Sequence, residues 1–281
     1  MRGDGDRVVR CGLGHAHWGR HGAAGLLPVH RPDGGGAHVL LQQRALWTPG
    51  GGTWGVFGGA RDSHEDAVAA ALRETAEEST LDLDLVRPFG TRVVDHGGWA
   101  YTTVLAVASA MPRVRPGSNE TRAAAWVPVP EVTARKLFAP FAASWTELMD
   151  RLTPPVLVVD CANVMGSRPD GWWRDRAGAA TRLRDGLAEV VRAGVADFAG
   201  LDTAYPEAVL VVEGRARGIG SVDGVTVVDS PGEGDDTIVE QARAHAGGPC
   251  FVVTADRELR ARCAAEGAEV LGPRWLLDRL G

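Results

Sequence analysis

The chain has 281 residues, enough for two ordinary domains, and its content of 44% hydrophobic and 23% charged residues is typical of globular proteins. The net charge of −6 arises beyond residue 152, because residues 1–152 contain 16 basic and 16 acidic side chains. A globally basic nucleic-acid-binding surface is therefore excluded. We find neither an apolar run of the ~18–20 residues that span a bilayer nor a signal peptide, so we expect a cytoplasmic protein without membrane contact. The four cysteines lack C-x-x-C spacing, so we expect reduced thiols rather than disulfides or zinc ligands.

Short apolar runs between Gly, Pro and Asp predict mostly strands in the first half of the chain. Residues 1–19 read as a tail or a loosely attached first strand. The predicted strands are Ala23–Val29, His38–Arg44, Trp54–Phe57 (running into a Gly58-Gly59 loop), Leu85–Val94, Tyr101–Ser109 and Ala124–Val127. A helix is predicted from about His64, with Ser63-x-x-Asp66 as its capping start. Residues 132–152 are predicted to be mostly helical, with an interruption at Pro140.

A second pattern begins after Thr153-Pro154-Pro155, so we predict domains at 1–152 and 153–281. The run Val156–Val159 is continuously apolar, as in a strand buried on both faces. Strands and helices then alternate, which predicts a parallel α/β sheet. The further predicted strands are Ala208–Val212, Val225–Val228, Phe251–Thr254 and Glu269–Leu271, and the predicted helices are Ala177–Val195, Thr237–Ala246, Arg257–Glu266 and Arg274–Leu280.

The first half contains a helix rich in carboxylates. Glu74, Glu77 and Glu78 stand at i, i+3 and i+4 and therefore share one helix face. Like charges so close together are unfavourable unless a cation lies against them, and Mg²⁺ favours carboxylate oxygens and substrate phosphates. Arg73 is suited to orient one carboxylate through a bidentate pair. An acidic solvated face paired with arginines is the alternative interpretation.

With Gly59 and Glu65 added, the spacing becomes G-x5-E-x7-R-E-x-x-E-E, which resembles the Nudix box. The resemblance to the Nudix family extends over roughly residues 20–150. The resemblance implies an α/β/α sandwich with a mixed sheet that hydrolyses a nucleoside diphosphate linked to another group. It also implies that Glu74, Glu77 and Glu78 hold Mg²⁺ or Mn²⁺, that one of them serves as base, and that Gly58 and Gly59 form the entry loop while Glu65 supports it.

Three positions depart from the family pattern. Thr80 replaces a glycine, Thr75 replaces an aliphatic residue, and Phe57 stands where many relatives have proline. A degenerate domain that binds nucleotide without hydrolysis therefore stays open as an alternative.

Aromatic side chains could stack on a nucleobase, although core packing is the commoner role. The candidates are Trp47, Trp54 and Trp99, and Trp54 is taken as a substrate-binding residue. Asp95 and His96, in a loop flanked by glycine, could supply a base or simply form a turn.

Acidic residues also gather at predicted strand ends in the second half. Ligands bind at the carboxyl ends of parallel strands, and carboxylates gathered there would repel one another without Mg²⁺ or Mn²⁺. The candidates are Asp160, Glu213, Asp235, Asp236 and Asp256, with Asn163 close to Asp160. Helix capping is the alternative role, above all for Asp235.

The stretches around Asp160-Cys-Ala-Asn163, Glu233–Glu240 and Thr254-Ala-Asp256 resemble an NYN/PIN-like ribonuclease over about residues 154–281. The resemblance implies that Asp160, Asp236 and Asp256 bind the metal, with Glu213 in a position where relatives often have aspartate. Asn163 and Asp235 are supporting residues, and Asp175 is a looser candidate.

Arginines and tryptophans crowd the segment beyond Asn163, and RNA contact and a plain solvated helix face are equally good interpretations. The residues are Arg168, Trp172, Trp173, Arg174, Arg176, Arg182 and Arg184.

Together these patterns predict a two-domain enzyme: a metal-dependent nucleotide pyrophosphohydrolase followed by a metal-dependent ribonuclease, with RNA 5′ ends as a hypothetical common substrate. Hydrolysis of free modified nucleotides is a second hypothesis. A nucleotide sensor that regulates the nuclease without hydrolysis is a third.

Overall fold

The computed structural model describes residues 3–168 and 171–280. The chain divides into two units, residues 1–152 and 153–281. Within the described ranges, no helix combines the length and apolar character needed to cross a membrane.

The first unit is built on a mixed sheet. The strands of this sheet are β3 (Ala23–His30), β4 (His38–Arg44), β5 (Trp54–Gly55), β6 (Phe57–Ala60), β7 (Val86–Asp95), β8 (Ala100–Ala108) and β9 (Thr121–Pro128). Strands β1 (Val8–Arg10) and β2 (Ala16–Trp18) form a separate two-stranded sheet. Strand β3 runs parallel to β8 and antiparallel to β4 and β6. Strand β7 pairs with β8, and both β5 and β9 pair with β4. The mixed sheet predicted for this half is confirmed.

Of the two alternatives expected for residues 1–19, a tail or a first strand, the described residues 8–18 take the strand form. Strands β1 and β2 pair in an antiparallel hairpin, from Val8 opposite Trp18 to Arg10 opposite Ala16. Residues that precede the hairpin bind the loop before the carboxylate helix: the Gly5 N–H donates to Asp62 at 2.8 Å, and the Ser63 N–H donates to Asp4 at 2.9 Å.

Helix α1 (Ala67–Glu78) carries the predicted carboxylates across the central strands. Its cap is Asp66, whose carboxylate accepts from the Ala69 N–H at 2.7 Å, and Ser63 lies outside the helix. The small residues Ala70 and Ala71 are fully buried against β3 and β8, so the helix approaches the sheet closely.

The predicted helix of residues 132–152 is shorter than expected. A 3₁₀ turn covers Val129–Ala134, and helix α2 (Ala139–Met149) begins just before Pro140. Pro140 therefore lies in the first turn, where a missing N–H costs no hydrogen bond, and it starts the helix instead of interrupting it.

The second unit contains a parallel five-stranded sheet in the order β14-β13-β10-β15-β16. Its strands are β10 (Val156–Asp160), β13 (Glu207–Val212), β14 (Val225–Asp229), β15 (Cys250–Val253) and β16 (Glu269–Leu271). Strands β11 (Val195–Phe198) and β12 (Leu201–Ala204) form an antiparallel hairpin. The helices are α3 (Cys161–Gly166), α4 (Arg176–Ala193), α5 (Gly234–Ala244), α6 (Arg257–Ala265) and α7 (Pro273–Leu280).

Both faces of this parallel sheet are buried. Val156 and Val158 pack with residues of α5 and α6, and the alternate residues Leu157 and Val159 point to the opposite face and are fully buried. Strands β10, β13 and β15 end at one edge, so the residues that follow them meet there. This edge positions the second group of acidic side chains.

Candidate active site

Arg73 organises the carboxylate helix of the first unit. Its guanidinium donates twice to Glu65, at 2.6 and 3.0 Å, and once to Glu74, at 2.8 Å. The same group donates to the carbonyl of Ala60 at 2.9 Å and lies 3.7 Å from Glu77. Two of the four predicted carboxylates, Glu65 and Glu74, are thus held by hydrogen bonds from one planar cation, while Glu77 stands at the exposed rim.

Glu78 is held from the opposite side. One of its oxygens accepts from Gln42 Nε2 at 2.9 Å and from the Gly58 N–H at 3.3 Å. Burial, with repulsion from Glu74 and Glu120, raises the pKa of Glu78 to about 7. Burial also raises the pKa of Glu74, although the pair with Arg73 opposes this effect. Without a cation beside them, Glu74 and Glu78 therefore bind a proton more readily than ordinary carboxylates do.

The raised pKa values of these carboxylates indicate whether a divalent metal fits the site. Partly buried carboxylate oxygens that repel one another are the ligands that a hard divalent cation such as Mg²⁺ or Mn²⁺ neutralises. Glu74 and Glu78 supply such oxygens, and the exposed Glu77 can reach the same face. The residues present therefore fit a divalent metal.

Sequence reasoning missed the residues that position Glu78. Gln42 is 1% exposed, and all its polar atoms are used: it donates to Val56 O at 3.1 Å as well as to Glu78, and accepts from Thr121 Oγ at 2.6 Å. Two adjacent glutamines after the apolar run Val39–Leu41 of strand β4 were the available signal. Asp6 and Glu120 were missed too. The negative charge of Asp6 helps to raise the pKa of Glu74, and that of Glu120 helps to raise the pKa of Glu78.

The Gly58-Gly59 pair lies in strand β6, not in a loop. These glycines pair with Gly25 and Ala24 of β3, respectively. A Cβ atom at Gly58 would collide with the backbone of Ala24 and Gly25, and one at Gly59 would collide with the Glu74 carboxylate. Gly58 is required by the close approach of β3, and Gly59 is required because the Glu74 carboxylate of helix α1 lies directly on this strand.

The end of α1 explains why threonine is accommodated at position 80. The helix ends at Ser79 in an extended conformation (φ −145°, ψ 167°), so no left-handed residue follows it. Thr80 exchanges backbone and side-chain hydrogen bonds with Arg115: its N–H donates to Arg115 O at 3.0 Å, and its Oγ accepts from the Arg115 N–H at 2.9 Å. The Gly117 N–H donates to the Glu78 carbonyl at 2.8 Å. The segment around residue 116 therefore caps the helix that glycine would otherwise help to end.

The aromatic candidates have different environments. Trp99 is 9% exposed and stacks on His17 with ring centres 3.9 Å apart, so it is core and not a platform for a base. Trp54 is half-buried, and the Arg135 guanidinium lies 4.3 Å from its ring centre. Trp47 is 66% exposed and stays a candidate. Asp95 forms a turn by accepting from the Gly97 N–H at 2.7 Å, which is the plainer of the two predicted roles.

Comparison with known proteins agrees with this geometry. The model of the NUDIX domain matches residues 19–149. A protein named "Putative 8-oxo-dGTP diphosphatase 3" from Mycobacterium tuberculosis is 47% identical over 155 residues, which cover 53% of this chain and 70% of that protein. The chain belongs to the Nudix family.

Two further relatives also match about half of this chain. A "Nucleoside triphosphate pyrophosphatase/Nudix hydrolase fusion protein" from Bifidobacterium longum is 40% identical over 152 residues, 53% of this chain and 32% of the relative. The crystal structure of the Nudix hydrolase RenU from M. smegmatis has 40% identity and a TM-score of 0.50, over 52% of this chain and 94% of that one. The Nudix region of this chain therefore coincides with the first unit.

The second unit has an acidic cleft of about 470 Å³ at the carboxyl edge of its parallel sheet. Its charged lining residues are Asp160, Glu213, Asp235 and Asp256. Asn163 also lines it and accepts from the Ala255 N–H at 2.8 Å, which joins the ends of β10 and β15. The sheet thus brings together four of the five acidic residues predicted for this edge.

Asp160 is the most buried acid of the cleft, with 8% exposure. It accepts from the Asn163 N–H at 3.0 Å and from Thr254 Oγ at 2.9 Å. Burial raises its pKa, and repulsion from Asp235 and Glu213 adds to the effect. Burial and repulsion from Asp256 raise the pKa of Asp235 too. Hard divalent cations fit this oxygen-rich set as well.

The positions of Asp235 and Asp236 are the reverse of the expectation. Helix α5 begins at Gly234 instead of Thr237, so both residues lie in its first turn, about 100° apart around the axis. Asp235 lines the cleft, whereas Asp236 points outward and pairs with Arg262 at 2.5 Å. The resemblance assigned Asp236 to the metal. Which of the two residues faces inward depends on the exact start of the helix, which the sequence pattern placed at Thr237.

Several looser candidates have structural roles. Asp175 caps α4 by accepting from the Gly178 N–H at 2.9 Å and does not line the cleft. Arg176 lies 5.2 Å from the ring centre of Trp172. Arg184 binds Asp185 and the Gly220 carbonyl. Trp173 is 56% exposed, so this aromatic residue stays available for a partner.

Proposed function

We propose that the Nudix domain hydrolyses a nucleoside diphosphate linked to another group, with Mg²⁺ or Mn²⁺ as cofactor. The observation that carries the proposal is the set of desolvated, mutually repelling carboxylates held on one side by Arg73 and on the other by Gln42. The name of the M. tuberculosis relative makes 8-oxo-dGTP, a nucleoside triphosphate with a modified base, the first substrate to test.

Each residue of the site has a separate task in this proposal. Glu74, Glu77 and Glu78 would hold the metal, which when bound activates water and neutralises the charge that develops on the phosphate oxygens. Arg73 orients Glu74 through a bond of 2.8 Å and opposes the rise in the pKa of Glu74 that burial causes. Gln42 and the Gly58 N–H fix the orientation of Glu78 through its Oε2 atom, and neither of them binds its other oxygen.

The proposal is tested with a panel of nucleoside triphosphates, 8-oxo-dGTP, ADP-ribose, NAD and NDP-sugars, in Mg²⁺ or Mn²⁺. Reaction in ¹⁸O-water identifies the phosphorus atom that is attacked, from the product that carries the label. Metal-dependent release of a nucleoside monophosphate from one class would support the proposal and name the substrate. No turnover of any compound with either metal would refute it and favour nucleotide sensing.

We propose as a second function that the C-terminal unit is an NYN/PIN-like, metal-dependent ribonuclease. The supporting observation is the convergence of Asp160, Glu213, Asp235 and Asp256 on one cleft at the carboxyl edge of a parallel sheet. The four free thiols suit the cytoplasmic location expected from the sequence.

The neighbouring acids Asp235 and Asp236 provide a matched test of the nuclease. Asp235→Asn should abolish Mn²⁺-dependent cleavage of single-stranded RNA, while Asp236→Asn, which only breaks the exposed pair with Arg262, should preserve it. Equal loss in both variants, or no cleavage by the native chain, would refute the assignment.

A substrate shared by the two domains requires one further comparison. If RNA 5′ ends are the substrate, 5′-triphosphorylated or capped RNA should be converted faster than the free nucleotide, and equal rates would exclude this coupling. A nucleotide that alters RNase activity without being hydrolysed would instead identify the Nudix domain as a sensor. The hydrogen-bonded helix end at Thr80 supports the hydrolytic alternative over the sensor.

A further inference from the structure

Two turns of the first unit bring one cysteine and three histidines together. Cys11 and His15 flank the turn between β1 and β2, His17 lies within β2, and His96 lies in the turn between β7 and β8. One potential ligand atom from each residue lies within 4.8 Å of all the others. This cluster is built from residues that the proposed hydrolytic chemistry does not use.

Two of the histidines have an unused polar atom. His17 Nε2 and His96 Nδ1 are buried and have no hydrogen-bond partner. The two rings are close, with centres 4.7 Å apart. Buried polar atoms without a partner are unfavourable in a folded protein, so two of them on neighbouring rings of this cluster point to a ligand that both could bind.

The surroundings hold these residues in place. Trp99 stacks on His17 and donates from Nε1 to the Gly19 carbonyl at 2.8 Å, while the Gly12 N–H donates to the Gly97 carbonyl at 2.6 Å. The second bond joins the two turns directly, and the close approach leaves no room for a Cβ atom at Gly12 without a shift of Gly97. Cys11 is buried, His17 and His96 are half-buried, and His15 is exposed.

We propose that Cys11, His15, His17 and His96 bind one Zn²⁺ ion. A thiolate and three imidazoles form a soft, four-ligand set that suits tetrahedral zinc and not the hard, oxygen-seeking Mg²⁺. Zinc bond lengths place tetrahedral ligand atoms roughly 3.3–3.6 Å apart, so side-chain adjustments of about 1 Å close the site. On binding, the Cys11 thiol releases its proton to solvent, and the buried nitrogens of His17 and His96 gain a partner.

The ion would link the N-terminal hairpin to the β7–β8 turn through its ligands. The residues before that hairpin bind Asp62 and Ser63, which lie in the loop before the carboxylate helix. The negative charge of Asp6 also contributes to the raised pKa of Glu74. Zinc therefore has a structural role in holding the N-terminal segment beside the active site, separate from the metal that the glutamates would hold.

Metal analysis of the full chain tests this site independently of enzyme activity. The wild type, purified from zinc-supplemented medium and freed of loosely bound ions by gel filtration, should contain about one zinc per chain by mass spectrometry. Cys11→Ser and His17→Gln should lower zinc to background. His64→Gln, at an exposed histidine outside the cluster, should retain it.

Cobalt substitution adds a readout on the wild-type chain, which does not depend on any variant being folded. Co²⁺ added to the zinc-free wild type should produce tetrahedral d–d bands and a thiolate-to-cobalt charge-transfer band, and zinc should displace both. Cys11→Ser should lose the charge-transfer band. A wild-type protein without bound zinc and without the charge-transfer band would overturn the proposal.

Discussion

Replacing Glu78 by Gln should stabilise the Nudix domain at alkaline pH when divalent metal is absent. Glu78 has a pKa of about 7 in the folded chain against an ordinary value of 4.5, so protonation stabilises the folded state. This stabilisation is fully present below pH 4.5 and is lost as pH rises through 7. Since one pKa unit corresponds to ~1.4 kcal/mol, the ionised side chain costs about 3 kcal/mol at pH 8.

Glutamine reproduces the uncharged form. Its carbonyl oxygen can accept the bonds from Gln42 and the Gly58 N–H that Glu78 now accepts. The difference in unfolding free energy between Glu78→Gln and wild type should therefore be small at pH 4.5 and grow to about 3 kcal/mol in favour of the variant at pH 8.

Urea denaturation without added Mg²⁺ or Mn²⁺ measures this difference. In a two-domain chain, the relevant transition is the one whose midpoint in the wild type rises when Mg²⁺ is added. Glu131→Gln, an exposed glutamate of the same unit, should show no such pH dependence. A Glu78→Gln variant equally destabilised at both pH values would refute the reasoning, because Glu78 would then be ionised without cost.

Three further substitutions test the supporting structure. Arg73→Lys should lower the rate of the Nudix reaction about 10–100-fold and raise the Mg²⁺ concentration needed for half-maximal rate. The reason is that lysine cannot pair with Glu65 and Glu74 together. Steady-state kinetics over a Mg²⁺ series measures both effects. Gly58→Ala should lower the melting temperature through its collision with β3, corresponding to about 1–3 kcal/mol, whereas Gly36→Ala, in open space, should not. Thr80→Gly should destabilise the domain by about 1 kcal/mol in urea denaturation, because it loses the hydrogen bond to Arg115 and adds backbone freedom; a stabilised variant would contradict the described helix end.

Most of the strands could be predicted because their apolar runs are long and bounded by turn residues. His38–Arg44 and Glu269–Leu271 have the bounds expected from the sequence. Strands β1 and β2 were not recognised as a hairpin, since they have three residues each with largely exposed side chains and no apolar alternation. Helix α3 was missed because it follows Asp160 immediately and has only six residues.

The candidate sites were predictable only where their residues are close in sequence. Glu74, Glu77 and Glu78 lie on one helix, so their spacing alone indicates a shared face. Gln42 reaches Glu78 only through the pairing of β4 with its neighbours, and His96 meets Cys11 only after the sheet has formed. Such contacts depend on tertiary structure, which local patterns do not encode.

The most direct test of the central claim is the metal-dependent rate of nucleotide hydrolysis by wild type, Glu78→Gln and Glu131→Gln, measured with the preferred compound of the panel. The account predicts that Glu131→Gln equals the wild type, while Glu78→Gln loses about 10²-fold or more in kcat although it stays folded at assay pH. Equal rates in all three proteins would show that the carboxylate helix does not perform the reaction and would contradict the account.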